Sequence, residues 1–168
     1  MKIGISAFAA EGGKSGISQY MINVLQRLPQ PETGVTCVIF VPSAERELCQ
    51  PAPAGSRIVT VPDWMAHPVT SILWHLLLYP VVLKRHQCDC AYLPAGNRRL
   101  GLWYGVPSIS TIHDLSQLHV DGKYDPLRMF YIRRVLPYLM QRLTRVVSVS
   151  ESTRHDLVEH AGIRPERI

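Results

Sequence analysis

The feature that most constrains the fold of this chain is the regular alternation of two apolar patterns. Short continuous apolar runs, typical of strands buried on both faces, alternate with longer segments whose apolar residues recur every three or four positions. Parallel strands need a long crossover connection, which is usually a helix. The sequence therefore predicts an α/β fold with a doubly wound parallel sheet. The predicted strands are residues 2–7, 35–41, 57–61, 90–93, 108–112 and 146–149.

Capping residues and prolines place the predicted helices between these strands. Ser15 is expected to cap the first helix, because a serine hydroxyl can accept a hydrogen bond from a free N–H group of the first turn. Pro68 opens a helix that reaches about Arg85, in which Pro80 is expected to introduce a kink. A later helix begins at Pro126 and extends to about residue 142.

The composition indicates a folded domain with anionic ligands or partners. The 168 residues are 46% hydrophobic and 18% charged, which excludes intrinsic disorder and suits one α/β domain or a compact pair. A net charge of +5 favours sugar nucleotides, phospholipid head groups or nucleic acid. Nucleic acid is not expected, because the aromatic residues are not interleaved with basic ones as a stacking platform requires.

The cysteines and histidines predict neither a disulfide framework nor a metal site. Four cysteines without a recognisable spacing are typical of reduced thiols in a cytoplasmic protein. The histidines lack ligand spacing, so no metal is expected. The longest apolar run, residues 72–83, is shorter than the roughly 20 residues that a membrane span needs.

Three loops are expected to form the ligand site, because doubly wound sheets bind ligands outside the carboxyl ends of their strands. They are residues 9–15, 94–102 and 113–124. In the first, Gly12, Gly13 and Ser15 lead into a helix N-terminus, which can cradle a phosphate or a sugar. A glycine turn needed only for its positive φ is an equally good interpretation. A P-loop kinase is disfavoured, because Phe8 stands where the phosphate loop needs glycine.

The other two loops contribute polar side chains. Asn97 suits sugar hydroxyls, although asparagine also favours turns. His113 directly follows an apolar strand and is the candidate catalytic residue, since histidine can bond a hydroxyl or carbonyl at neutral pH. A structural role for His113 is the alternative. Asp114 could orient His113 or cap the turn, and Tyr124, at the end of this loop, is counted with Asp114 among the substrate-binding residues.

These motifs, in this order, resemble the N-terminal, acceptor-side domain of the family 4 retaining glycosyltransferases, which have the GT-B fold. The resemblance implies two Rossmann-like domains that face a cleft, with the acceptor mainly on the N-terminal domain and the nucleotide-sugar donor mainly on the C-terminal one. The matching segments are MKIGI (1–5), GGKSGISQY (12–20), LPAGN (93–97), TIHDL (111–115), YIRRVLP (131–137), VSVSEST (147–153) and GIRPERI (162–168).

The resemblance also implies roles for individual residues and for the whole protein. Gly12, Gly13 and Ser15 would reach the donor phosphate and the acceptor, and His113 would contact a hydroxyl of the transferred sugar. Residues 1–168 would be the N-terminal domain of a hexosyl or mannosyl transferase of polysaccharide biosynthesis, with a glycan or lipid-linked acceptor and no metal or other cofactor. The donor-binding domain would lie outside this chain, and the isolated domain would be inactive. The alternative is a non-catalytic Rossmann-like binding module that docks a separate donor-binding chain.

A peripheral membrane contact at the cytoplasmic face is a further expectation. The helix that begins at Pro126 carries four cations among apolar residues, namely Arg128, Arg133, Arg134 and Arg142. The apolar run 72–83 adds to the apolar surface. A basic amphipathic helix is one way to bind an anionic bilayer. The alternative is ordinary core packing with solvated arginines.

Overall fold

A single parallel sheet organises the chain, as the sequence predicts. The computed structural model describes residues 1–8, 11–97, 99–118 and 126–168. Its strand order is β3-β2-β1-β4-β5-β6, with β1 in the interior of the sheet. The three strands predicted at 57–61, 90–93 and 108–112 have the predicted bounds, and the others differ by one residue at one or both ends. The strands are β1 Lys2–Ser6, β2 Thr36–Pro42, β3 Arg57–Val61, β4 Cys90–Leu93, β5 Ser108–Ile112 and β6 Arg145–Ser148.

Four longer helical elements accompany the sheet. Helix α1 is Gly16–Gln26 and α4 is Glu151–Glu159. Helix α2, residues 68–85, consists of Pro68–Leu73, a π-helical segment Trp74–Leu78 and Tyr79–Arg85. Helix α3, residues 126–141, likewise consists of Pro126–Phe130, a π-helical segment Tyr131–Val135 and Leu136–Gln141. Short 3₁₀ turns are Glu11–Gly13, Pro31–Thr33, Ser43–Cys49, Asp63–Ala66, Ser116–Leu118 and Pro165–Arg167.

Proline explains why both long helices contain a π-helical segment. Pro80 and Pro137 each follow such a segment by two residues. A proline inside a helix has no N–H group, and its ring clashes with the carbonyl four residues earlier. A wider turn just before the proline accommodates this clash, and π turns of this kind occur as single insertions in α-helices. The disturbance predicted at Pro80 therefore takes the form of a π turn.

The core has one layer on each face of the sheet. Ile5 and Ile39 of the strands pack with Met21 and Leu25 of α1 on one face. The other face carries residues of α2, α3 and α4, among them Tyr79, Leu83, Leu139 and Leu157. This division follows from the topology, because right-handed crossovers to the two sides of β1 place their helices on opposite faces.

Glycine at position 4 lets α2 lie directly on β1. A Cβ atom at Gly4 would come within 2.2 Å of Leu83 Cδ2 and 3.1 Å of Cys88 Sγ. The Tyr79 hydroxyl donates a hydrogen bond to the Gly4 carbonyl at 2.9 Å. A side chain here would push α2 away from the sheet and break this bond.

The apolar stripe of α3 belongs to the core. Ile132, Leu136, Leu139 and Met140 are buried, whereas Arg133 and Arg134 are exposed. The core-packing interpretation therefore describes these four apolar residues, whereas Phe130 on the same helix is 60% exposed. Within the described part of the chain, no helix is both long enough and apolar enough to cross a bilayer.

Candidate functional site

The carboxyl ends of β1, β4 and β5 lie side by side at one edge of the sheet. Strand β1 pairs with β2 on one side and with β4 on the other, so the winding direction reverses between β1 and β4. Ligands of doubly wound sheets bind at such a reversal. Asn97 lies in the turn after β4, and His113 is the first residue after β5.

The imidazole of His113 has a defined tautomer when it is neutral. Its Nε2 lies 2.7 Å from the carbonyl oxygen of Pro94. A carbonyl oxygen can only accept a hydrogen bond, so Nε2 carries the proton, and Nδ1 of the neutral ring is an acceptor. His113 is half-buried, and Nδ1 of its neutral ring is able to accept a hydrogen bond.

The side chain of Asn97 ties the turn after β4 to the turn after β5. Its Oδ1 accepts a hydrogen bond from the His113 N–H at 3.2 Å, and its Nδ2 donates to the Asp114 carbonyl oxygen. These bonds place Asn97, His113 and Asp114 together, as the sequence predicts. The bonds of Asn97 match the turn interpretation of this residue, and its contact with a sugar stays a prediction.

Three hydroxyl groups form a cluster beneath His113 that sequence reasoning missed. The Tyr20 hydroxyl lies 3.2 Å from the Tyr92 hydroxyl and 3.1 Å from Thr111 Oγ1, and the latter two are 3.0 Å apart. Burial raises the pKa of Tyr92, so this phenol stays protonated. The edge of the Tyr20 ring also contacts the ring of His113, with centroids 4.8 Å apart. The cluster thus joins α1, β4 and β5 directly below the candidate catalytic residue.

Tyr20 could have been noticed in the sequence for a simple reason. The helical periodicity assigns it to the apolar stripe of α1, yet it carries a hydroxyl that must find a partner when it is buried. Thr111, two residues before His113, has the same property. The sequence contains both signals, but it does not show that these two hydroxyls meet.

The glycine loop after β1 leads into a well-capped helix. Gly12 and Gly13 have φ angles of +65° and +77°, in the left-handed region that favours glycine. Ser15 caps α1 as predicted: its Oγ accepts from the Ser18 N–H at 3.1 Å, and its N–H donates to Ser18 Oγ at 2.9 Å. The Gly13 carbonyl accepts a bond from Gln19 Nε2 at 2.6 Å. The loop is thus anchored to α1, which also carries Tyr20 against His113.

The space beside the glycine loop is open. A Cβ atom added at Gly12 or Gly16 would meet no atom within 4 Å. The first turn of α1 has N–H groups without helical partners, which suit a negatively charged group. The geometry is compatible with a phosphate and equally with a turn that needs glycine only for its backbone.

A cavity of about 700 Å³ lies between the beginnings of α2 and α3. Its walls are mostly apolar and include Ile72, Phe130 and Val135. Its polar lining includes Asn97 and Arg128, so the cavity reaches the same edge of the sheet as His113. This arrangement suits a ligand with an apolar body and a polar or anionic end.

Comparison with known proteins identifies the family of this chain. The sequence model of Glycosyltransferase Family 4 matches residues 14–168. The chain belongs to glycosyltransferase family 4. A comparison with curated protein sequences found no match.

The fold of this family 4 chain is also that of solved glycosyltransferase structures. It superposes with a TM-score of 0.60 and 20% identity on Anabaena Alr3699/HepE, whose crystal structure contains UDP and glucose. A glycosyltransferase from Rickettsia africae ESF-5 gives a TM-score of 0.51 at 17% identity. In each case 99% of this chain is covered, but only 43% and 41% of the respective neighbour. The chain thus spans about two fifths of the length of these structures.

One candidate residue of the family 4 chain, Tyr124, lies outside the described residues. Among the described ranges, no three His, Cys, Asp or Glu side chains come close enough together to hold a metal ion.

Proposed function

We propose that the full-length protein transfers a sugar from a nucleotide-sugar donor to a glycan or lipid-linked acceptor with retention of anomeric configuration. This chain would be its N-terminal, acceptor-side domain, and a donor-binding domain would close the cleft from the other side. The observation that carries the proposal is His113 at the carboxyl edge of a family 4 domain. Its proton is held on Nε2 by Pro94, and its Nδ1 is left as an acceptor.

His113 would orient the transferred hexose. Its Nδ1 would accept a hydrogen bond from a sugar hydroxyl and so fix the ring relative to the acceptor. Holding both reactants in one geometry removes a large part of the activation free energy of a bimolecular transfer. One domain alone holds only one side of the cleft, so we expect the isolated domain to be inactive.

The glycine loop would face the donor diphosphate. As the bond between the anomeric carbon and the diphosphate oxygen breaks, a bond to the acceptor oxygen forms and negative charge grows on the diphosphate. The acceptor hydroxyl would give its proton to the departing diphosphate. N–H groups at the α1 N-terminus, next to Gly12, Gly13 and Ser15, are suited to stabilise that charge. With basic side chains from the second domain, they would support transfer without a metal or other cofactor.

The test is a donor-turnover assay on the full-length protein with a panel of nucleotide-hexoses. Replacing His113 by alanine should lower kcat about 10- to 100-fold, the range expected for losing a ligand hydrogen bond in the transition state. His155→Ala is the matched control, because the His155 side chain is 69% exposed and pairs with Glu159 on the surface of α4. We expect this control to keep wild-type turnover.

The structural alternative for His113 predicts the opposite pattern. His113→Ala removes the hydrogen bond to Pro94 and the ring contact with Tyr20, so a modest fall of the melting temperature is expected in either case. A variant that loses several kcal/mol of stability but keeps wild-type turnover per folded molecule would refute the catalytic role.

A further inference from the structure

The residues that lead from β1 into the glycine loop are held by α2. Ser6 is the last residue of β1, and its Oγ lies 2.8 Å from Nε2 of His75. Two residues later, the ring of Phe8 stacks on Trp74 with centroids 4.4 Å apart and meets the His75 ring edge-on at 4.9 Å. None of these four side chains is more than 3% exposed. We call Ser6, Phe8, Trp74 and His75 the α2 clamp.

The hydrogen bonds of His75 have a fixed direction. Its Nδ1 lies 2.6 Å from the Ser71 carbonyl oxygen, which can only accept, so Nδ1 carries the proton of the neutral ring. Nε2 is then an acceptor, and the Ser6 hydroxyl donates to it. Burial lowers the pKa of His75 to about 3, so the ring is neutral at physiological pH. Because the ring is fully buried, it cannot touch a substrate, and any effect on a ligand must pass through the residues that it holds.

The π turn of α2 brings the clamp onto β1. On a straight α-helix, residues 74 and 79 would lie about 140° apart around the axis. In the π-helical segment the Tyr79 N–H donates to the Trp74 carbonyl, and the two rings lie with centroids 5.2 Å apart. Tyr79 bonds to Gly4 and His75 bonds to Ser6, so both contact the same strand. A regular α-helix would turn Trp74 away from this side, and π turns are frequent at functional sites.

The opposite end of the glycine loop is held by α1. There the Gly13 carbonyl accepts a bond from Gln19, and Ser15 caps the helix. Between the two ends, the Gly12 N–H donates to Glu45 at 3.2 Å, in an exposed bond. Glycine has more backbone freedom than any other residue, and neither Gly12 nor Gly13 has a side chain that could pack. The direction of their N–H groups therefore depends on how firmly the two ends of the loop are held.

We propose that His75 is a positioning residue for the nucleotide-sugar donor. Its bond to Ser6 fixes the carboxyl end of β1, and this end sets the direction in which the glycine loop presents its N–H groups to the diphosphate. The inference rests on the proposed function, which places the diphosphate at this loop. It adds a residue that touches no ligand and lies 69 positions after Ser6.

Steady-state kinetics of the full-length protein test the positioning role. Ser6→Ala and His75→Leu each remove the bond between the two side chains. Each should raise the KM of the donor about 5- to 10-fold, as expected for about one hydrogen bond, and leave the KM of the acceptor within about twofold. His75→Gln should restore part of the donor affinity, because a glutamine oxygen can accept the Ser6 hydrogen bond as Nε2 does. A partly unfolded sample loses active molecules without changing the KM of those that remain.

The double variant separates positioning from stability. Each single change leaves a buried polar atom without its partner, so both single variants should melt at a lower temperature. Ser6→Ala combined with His75→Leu removes both polar groups, which can be nearly neutral for stability. Its melting temperature should recover towards that of the wild type, whereas its donor KM should stay raised. Ser108→Ala is the matched control and should keep both KM values, because Ser108 is a buried serine at the amino end of β5, where its Oγ accepts from the Thr144 N–H at 3.3 Å.

Hydrogen exchange reports on the clamp independently of the chemistry. The Ala7 N–H donates to the Phe40 carbonyl at 2.8 Å, and it should exchange faster in His75→Leu than in the wild type or in Ser108→Ala. Unchanged Ala7 exchange would overturn the inference, as would a wild-type donor KM of Ser6→Ala in an enzyme that turns over. A donor KM that recovers together with the melting temperature in the double variant would also overturn it. A wild type that turns over no nucleotide-hexose would instead refute the proposed function and the donor role of His75 together, and Ala7 exchange would still decide whether the clamp holds β1.

Discussion

Replacing Tyr20 by phenylalanine removes one oxygen atom from the hydroxyl cluster below His113 and keeps the aromatic ring. Two contacts disappear, at 3.2 Å to the Tyr92 hydroxyl and at 3.1 Å to Thr111 Oγ1. Tyr92 and Thr111 keep their mutual bond at 3.0 Å, so neither is left without a partner. The penalty of a stranded buried hydroxyl therefore does not arise.

The expected cost follows from these two bonds. A hydrogen bond of this kind contributes about 0.5–1.5 kcal/mol net, so the loss of two should destabilise the domain by about 1–3 kcal/mol. For a domain of this size that is a fall of about 2–12 °C in the melting temperature. The ring contact with His113 survives, so turnover per folded molecule should stay close to that of the wild type.

A series of three variants separates the hydroxyl from the ring. Tyr20→Leu loses both, so it should melt lower than Tyr20→Phe and should also lower kcat, because His113 is no longer held on that side. Tyr138→Phe is the control, since the Tyr138 side chain is exposed and its hydroxyl accepts only a surface bond from Arg142. It should change the stability by less than about 0.5 kcal/mol.

Thermal melting of the full-length protein and donor turnover are the measurements. Wild-type melting of Tyr20→Phe would show that the hydroxyl cluster does not stabilise the domain. If His113→Ala inactivates the protein but Tyr20→Leu keeps the wild-type kcat, Tyr20 does not position His113.

Three further predictions concern stability and reactivity. Gly96→Ala would place its Cβ 2.1 Å from Ser110 Oγ, so we expect the free energy of unfolding, measured with urea, to fall by about 1–3 kcal/mol. Gly16→Ala is the control at an open position, and it should cost less than about 1 kcal/mol. Burial lowers the pKa of His75 to about 3. An unfolded histidine binds its proton near pH 6.5. The free energy of unfolding should therefore fall by about 1.4 kcal/mol per pH unit, through His75 alone, as the pH falls from about 6 towards 3. His75→Gln should remove this contribution, so the free energy of unfolding measured with urea should depend less steeply on pH. Burial raises the pKa of Cys49 to about 12, so a thiol reagent at pH 8 should leave Cys49 unlabelled by mass spectrometry until the protein unfolds.

Much of the fold could be predicted because local patterns encode it. Continuous apolar runs identify buried strands, and the periodicity of α1 identifies the side that faces the sheet. Ser15 at the start of α1 and His113 at the end of β5 follow from their places next to such runs. The crossover rule then leads to the parallel sheet and to the edge where a ligand binds.

Contacts between distant parts of the chain needed the tertiary structure. Tyr20 meets residues 72 and 91 positions away, and the carbonyl that fixes the tautomer of His113 comes from Pro94, 19 positions earlier. Periodicity states which side of an element a residue faces, but the order and register of the strands decide which atoms meet there.

The sequence by itself determined the parallel sheet, the capped α1 and the edge of the sheet that carries His113, because hydrophobic periodicity and capping act within a few residues of the chain. Only the tertiary structure decided which apolar side chains are buried. Helices α2 and α3 are both rich in apolar residues and carry cations, yet Leu136 and Leu139 of α3 are in the core, while α2 leaves Leu73 and Leu77 exposed. The reason is geometric: α2 packs on β1 at Gly4 through one side only, and it has more apolar residues than that side can cover.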